Sequence, residues 1–218
     1  TAAGIECHVL APTKMVRSAQ QEKVKTDEKD AEQILLLLRG HVLAGNPLPT
    51  CWIPDHQTRD DREIVRARLD AAEKITEVKA QIQGLLKRNR LVRPEEVGHG
   101  WTKTFRAWLS ARRRDEHVSA GVKGTLASLL RQLSYLEEEI DCLEAELGRL
   151  IASPRYAAAI ARLVKLQGVG VLTALVFLTE VGDLKRFANR RQISAYLGLV
   201  PSCHESGSRS DRKGHITR

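Results

Sequence analysis

The most regular hydrophobic pattern lies between residues 119 and 152, where Leu126, Leu129, Leu133, Leu136, Ile140, Leu143, Leu147 and Leu150 recur at alternating steps of three and four. That spacing holds the apolar side chains on one stripe of an α-helix, the a/d seam of a heptad. Glu137, Glu138, Glu139, Glu144 and Glu146 take the other faces, and Pro154 ends the run. A coiled-coil helix is predicted, paired either with a second long helix of the same chain or with its own copy in a dimer. The second long helix is predicted from Asp55 to Leu91, where Ile64, Val65, Leu69, Ala72, Ile75, Val78, Ile82 and Leu85 follow helical spacing. Pro94 and Gly98 to Gly100 form a boundary after it. Trp101, Phe105, Trp108 and Leu109 then share one face of a short helix, where the aromatic rings are expected to pack rather than to stack on bases.

Shorter elements lie towards the two ends. Residues 4–11 alternate in character and stop at Pro12, which suits a strand. A lone strand needs a neighbour, so either the chain starts inside a domain or the segment near Cys51-Trp52-Ile53 supplies the partner. Thr26 or Asp27 caps a predicted helix that runs to Gly40, with Ile34, Leu35, Leu37 and Leu38 as its apolar face. The loop from Gly45 to Pro54 carries three prolines and breaks the pattern. Further on, Ile160 to Leu166 and Val171 to Val181 read as two helices joined by a tight hairpin at Gly168 and Gly170. Such a turn leaves N–H groups free at the start of the second helix, where the dipole favours an anion such as a phosphate backbone.

Composition narrows the class. The 218 residues could hold one large or two small domains, and 42% apolar with only 4% aromatic residues implies an aliphatic, helical core. No run reaches the ~18 apolar residues of a membrane span, and no signal-peptide pattern opens the chain, which is therefore read as cytoplasmic. Cysteines 7, 51, 142 and 203 form no CxxC pair, which argues against a zinc ribbon or a disulfide framework. Cys203, His204 and His215 offer three zinc ligands without a fourth. A net charge of +8 and a pI near 9.5 point to a polyanionic partner. The cations recur in clusters: Lys87, Arg88, Arg90 and Arg93, then Arg112 to Arg114, then Arg186 to Arg191, then Arg209 to Arg218.

Two sites carry candidate chemistry. Asp27 and Asp30, three apart, share a face of one helical turn and could ligate Mg²⁺ through hard oxygen donors. The plainer reading is that acidic residues there complement the helix dipole. Ser206 lies between Glu205 and Gly207, with Arg209, Arg212 and Lys213 close behind. A serine among flexible residues and cations suits a nucleophile for a phosphodiester, and the plainer reading of the residues alone is a solvated loop.

Leu166-Gln-Gly-Val-Gly-Val-Leu-Thr-Ala174, Glu180-Val-Gly-Asp183, Arg186-Phe187, Arg191-Gln192, Ala195-Tyr-Leu-Gly-Leu-Val-Pro201, Ser206-Gly207 and Gly214-His-Ile-Thr217 resemble, in order, the C-terminal domain of the insertion-sequence 110 family of transposases. Lys25-Thr26-Asp27 with Asp30-Ala31 is similar to the last acidic motif of that family's RuvC-like, RNase H-type domain, whose Asp-Glu-Asp-Asp set binds divalent metal. Asp27 and Asp30 match its third and fourth members, so the first Asp and the Glu are expected upstream of residue 1 and the chain to be N-terminally truncated. The C-terminal domain is likewise expected to continue beyond residue 218.

The resemblance implies a mainly α chain in three parts: residues 1–54 as the remnant of an RNase H-like α/β domain, 55–153 as the coiled-coil region, and 154–218 as a domain containing a helix-hairpin-helix and the serine. It implies an enzyme that cuts and rejoins DNA, with Ser206 as nucleophile and Asp27 and Asp30 holding Mg²⁺, although this fragment alone is expected to be inactive. Ser208 and Ser210 are possible displacements of the nucleophile. Gly168, Gly170, Arg190, Arg191, Arg209, Arg212 and Lys213 are the DNA-binding candidates. A structured noncoding RNA that selects the target and a homo-oligomer formed through the coiled coil complete the implied partners. The competing readings are a non-catalytic helix-hairpin-helix module that grips nucleic acid, and a purely structural coiled-coil dimer.

Overall fold

A computed structural model describes residues 4, 7–15, 26–98, 100–203 and 213–216, with the backbone alone described at 13, 201–203 and 213–216. The chain divides into two compact units, Thr1–Asp55 and His56–Arg218.

In the first unit, Leu10 and Thr50 form an antiparallel bridge. Ala11 N–H donates to the Pro49 carbonyl at 2.8 Å and Cys51 N–H to the Val9 carbonyl at 2.8 Å. The strand predicted before Pro12 thus meets the neighbour expected near Cys51, reduced to one bridge. Helix α1 spans Asp27–Ala44. Thr26 is its N-cap, its hydroxyl accepting from Lys29 N–H. Contrary to the predicted end at Gly40, the helix continues to a left-handed Gly45 at φ 68°. A single glycine costs only about 1 kcal/mol in a helix interior, and the residues after it, His41 to Ala44, contain no proline to halt propagation.

The apolar face expected on α1 is not covered among the described residues. Ile34, Leu35 and Leu38 are 48%, 64% and 48% exposed, and Gln33 is the buried side chain of the helix.

The second unit is built on two long helices, α2 (His56–Arg88) and α4 (Ala120–Ile151), with α3 (Lys103–Arg112) between them. Val65 of α2 shares a cluster with Leu147 of α4, whereas Ile82 and Leu85 share one with Leu126 and Leu129, so the two helices run antiparallel. Leu126, Leu129, Leu133 and Leu147 of the predicted heptad seam are buried, and Leu136 and Ile140 pack at its half-buried middle. The seam is therefore filled from within the chain. This is the intrachain alternative of the two predicted for the seam. Intrachain pairing wins where a complementary stripe is tethered nearby, because closing a loop of this length costs little entropy.

Phe105 and Leu109 of α3 insert fully into the hairpin end of the pair. Trp101 meets the Phe105 ring edge-on at 5.1 Å and Trp108 stacks on it at 5.8 Å, so the aromatic residues pack as expected. At the other end, α5 (Ala157–Leu163) and α6 (Val171–Val181) join Val65 and Leu147 through Ile160, Ala174 and Leu175. Helix α7 (Arg190–Tyr196) follows, and the antiparallel strands β1 (Pro201–Cys203) and β2 (Lys213–Ile216) pair Pro201 with Ile216 and Cys203 with Lys213.

Candidate active site and nucleic-acid interface

The two candidate carboxylates open α1. Asp27 and Glu28 are exposed and Asp30 is half-buried, all in the first turn, where the Thr26 carbonyl accepts from Asp30 N–H at 3.1 Å. Carboxylates a turn apart are hard donors of the kind that hold Mg²⁺ together with substrate phosphates, so the donor set fits such an ion. The same placement complements the helix dipole. No group of three or more His, Cys, Asp or Glu suited to a metal occurs among the described residues.

A turn containing Gly168 and Gly170 joins α5, which spans Ala157–Leu163 and not the predicted Ile160 to Leu166, to α6. Gly168 adopts φ 85°, a conformation that strains any residue with a Cβ, and Gly170 is the N-cap of α6. No side chain caps that eleven-residue helix, so its first-turn N–H groups have no side-chain acceptor at the cap. Arg190 and Arg191 are exposed in the first turn of α7. Asn189 accepts there from Gln192 N–H at 3.1 Å while Gln192 accepts from Ala188 N–H at 2.8 Å, a reciprocal cap that fixes the turn carrying both arginines.

Ser206, Ser208, Ser210, Arg209, Arg212 and His204 lie outside the described residues. They belong to the connection between β1 and β2, and Lys213 opens β2.

Arg186 departs from the expected cationic cluster. Its guanidinium lies 4.1 Å from the Phe187 ring centroid and 4.3 Å from that of Tyr196, and its Nε donates to the Val181 carbonyl at 3.2 Å. It acts as packing between two aromatic rings.

A set of residues on the first turns of α2 was missed from sequence. Arg62 donates from Nε to the Thr179 carbonyl at 2.7 Å and from Nη2 to the Glu180 carbonyl at 2.9 Å, satisfying carbonyls at the C-terminal end of α6. Arg66 grips the Glu180 carboxylate with both prongs at 2.7 and 2.8 Å. Tyr196 donates its hydroxyl to the Glu180 carbonyl at 3.1 Å. Glu180, part of a quoted family motif, is thereby the joint between α2, α6 and α7. Hydrogen bonding from Arg66 holds its carboxyl below the ordinary 4.5, with burial opposing. With the folded value depressed, this contribution to stability is present above about pH 4.5 and lost as the pH falls. No local sequence signal marks the pairing, whose partners are 114 positions apart.

Beside this joint, the Tyr156 hydroxyl donates to the buried Asp61 carboxylate at 2.6 Å, and Arg155 contacts both Asp61 and Thr58. Burial first, then the hydrogen bond to Asp61, pushes the phenol up to about 12. Because the folded value is raised, its stabilising effect is complete below pH 10 and lost as the pH rises through about 12. A phenolate absorbance titration is expected to show one late step that Tyr156→Phe removes. All phenols ionising together near pH 10 would contradict the buried pair.

Residues 160–218 match a family model described as the transposase IS116/IS110/IS902 family, and residues 1–90 match a second model described as a transposase. The chain is 31% identical to the putative transposase y4qE of Sinorhizobium fredii over 97% of its own length and 48% of that protein. It is 30% identical to the putative transposase y4rJ of the same organism, over 95% of the chain and 54% of the relative. It is 38% identical to the transposase for insertion sequence element IS1111A of Coxiella burnetii, over 40% of the chain and 23% of the relative. The chain thus spans about half the length of the first two relatives. No solved structure matches it.

Proposed function

We propose that this chain, which belongs to the IS110/IS116 family of transposases, serves DNA transposition by cutting and rejoining strands through a serine nucleophile. The ordered match of residues 160–218 to the family is the observation that carries the reading. The resemblance assigns the nucleophile to Ser206. Its Oγ would bond to a DNA phosphorus as the bond from that phosphorus to a sugar oxygen breaks, the serine proton passing to the departing oxygen. Joining is the reverse step with another strand's hydroxyl.

Asp27 and Asp30 are assigned to hold Mg²⁺. The bound ion's contribution is to offset the charge gathering on the phosphate. Around that chemistry the chain's own groups grip and orient DNA. The uncapped start of α6 after Gly168 and Gly170 and the exposed Arg190 and Arg191 suit backbone phosphates. Arg209, Arg212 and Lys213, near Ser206 in sequence, are assigned the phosphate under attack. The joint at Glu180 supports the reading by fixing α6 and α7 to one long helix. By the resemblance, target choice belongs to a structured noncoding RNA, and strand exchange to a homo-oligomer.

Covalent capture of nicked DNA by the full-length protein, titrated with Mg²⁺, tests this function. Asp27→Asn and Asp30→Asn are each expected to lower capture about 10²-fold or more at fixed Mg²⁺, with the circular dichroism of the helices unchanged. Capture independent of the ion and of both aspartates favours the dipole role for them. DNA binding with a steep salt dependence and no capture at all favours the non-catalytic module.

A further inference from the structure

Helix α2 ends in a turn that puts an arginine where a glycine is the inexpensive choice. Leu91 N–H donates to the Leu86 carbonyl at 3.0 Å and Arg90 N–H to the Lys87 carbonyl at 3.2 Å, the paired bonds of a Schellman motif. The residue that must turn left-handed in it is Arg90, at φ 54°, the sole non-glycine residue with positive φ among those described. Glycine occupies this position in many helices because a Cβ is strained there. Backbone strain at a charged residue directs attention to what its side chain does.

The surroundings answer that. Gln83, Lys87, Arg90, Leu91, Val92 and Arg93 line a cavity of about 500 Å³, and no carboxylate is among its lining residues. Lys87 and Arg90 have no hydrogen-bond or ion-pair partner for their side chains among the described residues. Arg93 lies 4.6 Å over the Phe105 ring, and its Nη1 is buried without a hydrogen-bond partner. A buried guanidinium N–H without an acceptor is costly, and an anionic oxygen brought to this arginine would relieve that cost. Elsewhere on this helical unit Arg106 pairs with Glu137 at 2.5 Å and Arg68 with Glu144 at 2.8 Å. Here three cations line one cavity with no carboxylate in its lining.

We infer that this cavity at the α2 turn is a second phosphate-binding site, separate from the glycine hairpin, in which Lys87, Arg90 and Arg93 hold the sugar-phosphate backbone of a nucleic acid. The proposed function supplies only the polyanion at hand, DNA or its guide RNA; the site itself rests on the cavity. Aliphatic Leu91 and Val92 and the absence of an aromatic ring from the lining make this a grip on backbone without base readout.

The test is a salt titration of the full chain against a fluorescein-labelled DNA duplex and, separately, a labelled RNA hairpin. The variant is Lys87→Gln/Arg90→Gly, which removes two charges while glycine accepts the left-handed turn and Arg93 keeps its place on Phe105. The slope of log affinity against log salt is expected to fall by about two on the nucleic acid that occupies the site. An exposed pair elsewhere, Arg59→Gln/Lys74→Gln, is expected to leave that slope within about half a unit of the parent chain. A fall with DNA alone or RNA alone identifies the source. Unchanged slopes with both probes, or equal falls in the control pair, overturn the site. Capture at Ser206 is not read in this assay, so the inference can fail while the proposed chemistry stands.

Discussion

Replacing Ser206 by alanine is expected to abolish covalent capture of nicked DNA by the full-length protein, lowering strand cleavage about 10⁴-fold or more. The size follows from the chemistry. Without Oγ no protein-phosphate bond can form, and water, though able to hydrolyse the strand, cannot conserve the bond for rejoining. Binding is expected to be unaffected, because the salt-dependent part of affinity is proposed to come from Arg190, Arg191 and the other cations, and a neutral hydroxyl releases no counterion. Gel retardation run beside the capture assay separates the two effects. Should capture survive in Ser206→Ala but vanish in Ser208→Ala or Ser210→Ala, the nucleophile is displaced along the same connection.

The largest expected effect on stability is at Phe105. It is fully buried, contacts Trp101 and Trp108, and carries Arg93 on its face. Phe105→Ala leaves a void between α2, α3 and α4 and is expected to cost about 3–5 kcal/mol. Urea unfolding followed by tryptophan fluorescence should show a lower midpoint with an unchanged slope. A loss under about 1 kcal/mol would mean that α3 can leave the core without consequence, contrary to its buried Phe105 and Leu109. The same variant removes the support beneath Arg93, so it couples the core to the cavity at Arg90.

Much of the helical architecture is written in periodicity. The seam from Leu126 to Leu150 and the stripe from Ile64 to Leu85 gave α4 and α2 nearly to their ends, because each helix buries one stripe and so needs the spacing visible in sequence. Gly168 and Gly170 marked the hairpin before α6 for a backbone reason equally local. Other features depend on groups far apart in the chain. The choice between an intrachain pair and a dimer is not contained in a heptad, since both present the same apolar stripe. Arg62, Arg66 and Glu180 look like ordinary surface charges until α2 and α6 are brought together. Arg186 sat within a basic cluster, and only the rings of Phe187 and Tyr196 show that its charge is used inside the fold. Arg90 was likewise visible as a cation, but not as a left-handed one.

The candidate site was legible in a different way. Asp27, Asp30 and Ser206 were found by likeness to a family, and residue spacing alone left the dipole and solvated-loop readings open. The structure places the two aspartates at an exposed helix start with a clean Thr26 cap, which suits either role. That Ser206 and the Asp27–Asp30 pair serve one phosphate is tested most directly by mapping the covalent adduct formed with nicked DNA in Mg²⁺. The phosphodiester is expected on the peptide bearing Ser206, and its yield is expected to vanish on chelation and in Asp27→Asn/Asp30→Asn. An adduct on another residue, or full yield without the metal, would contradict it.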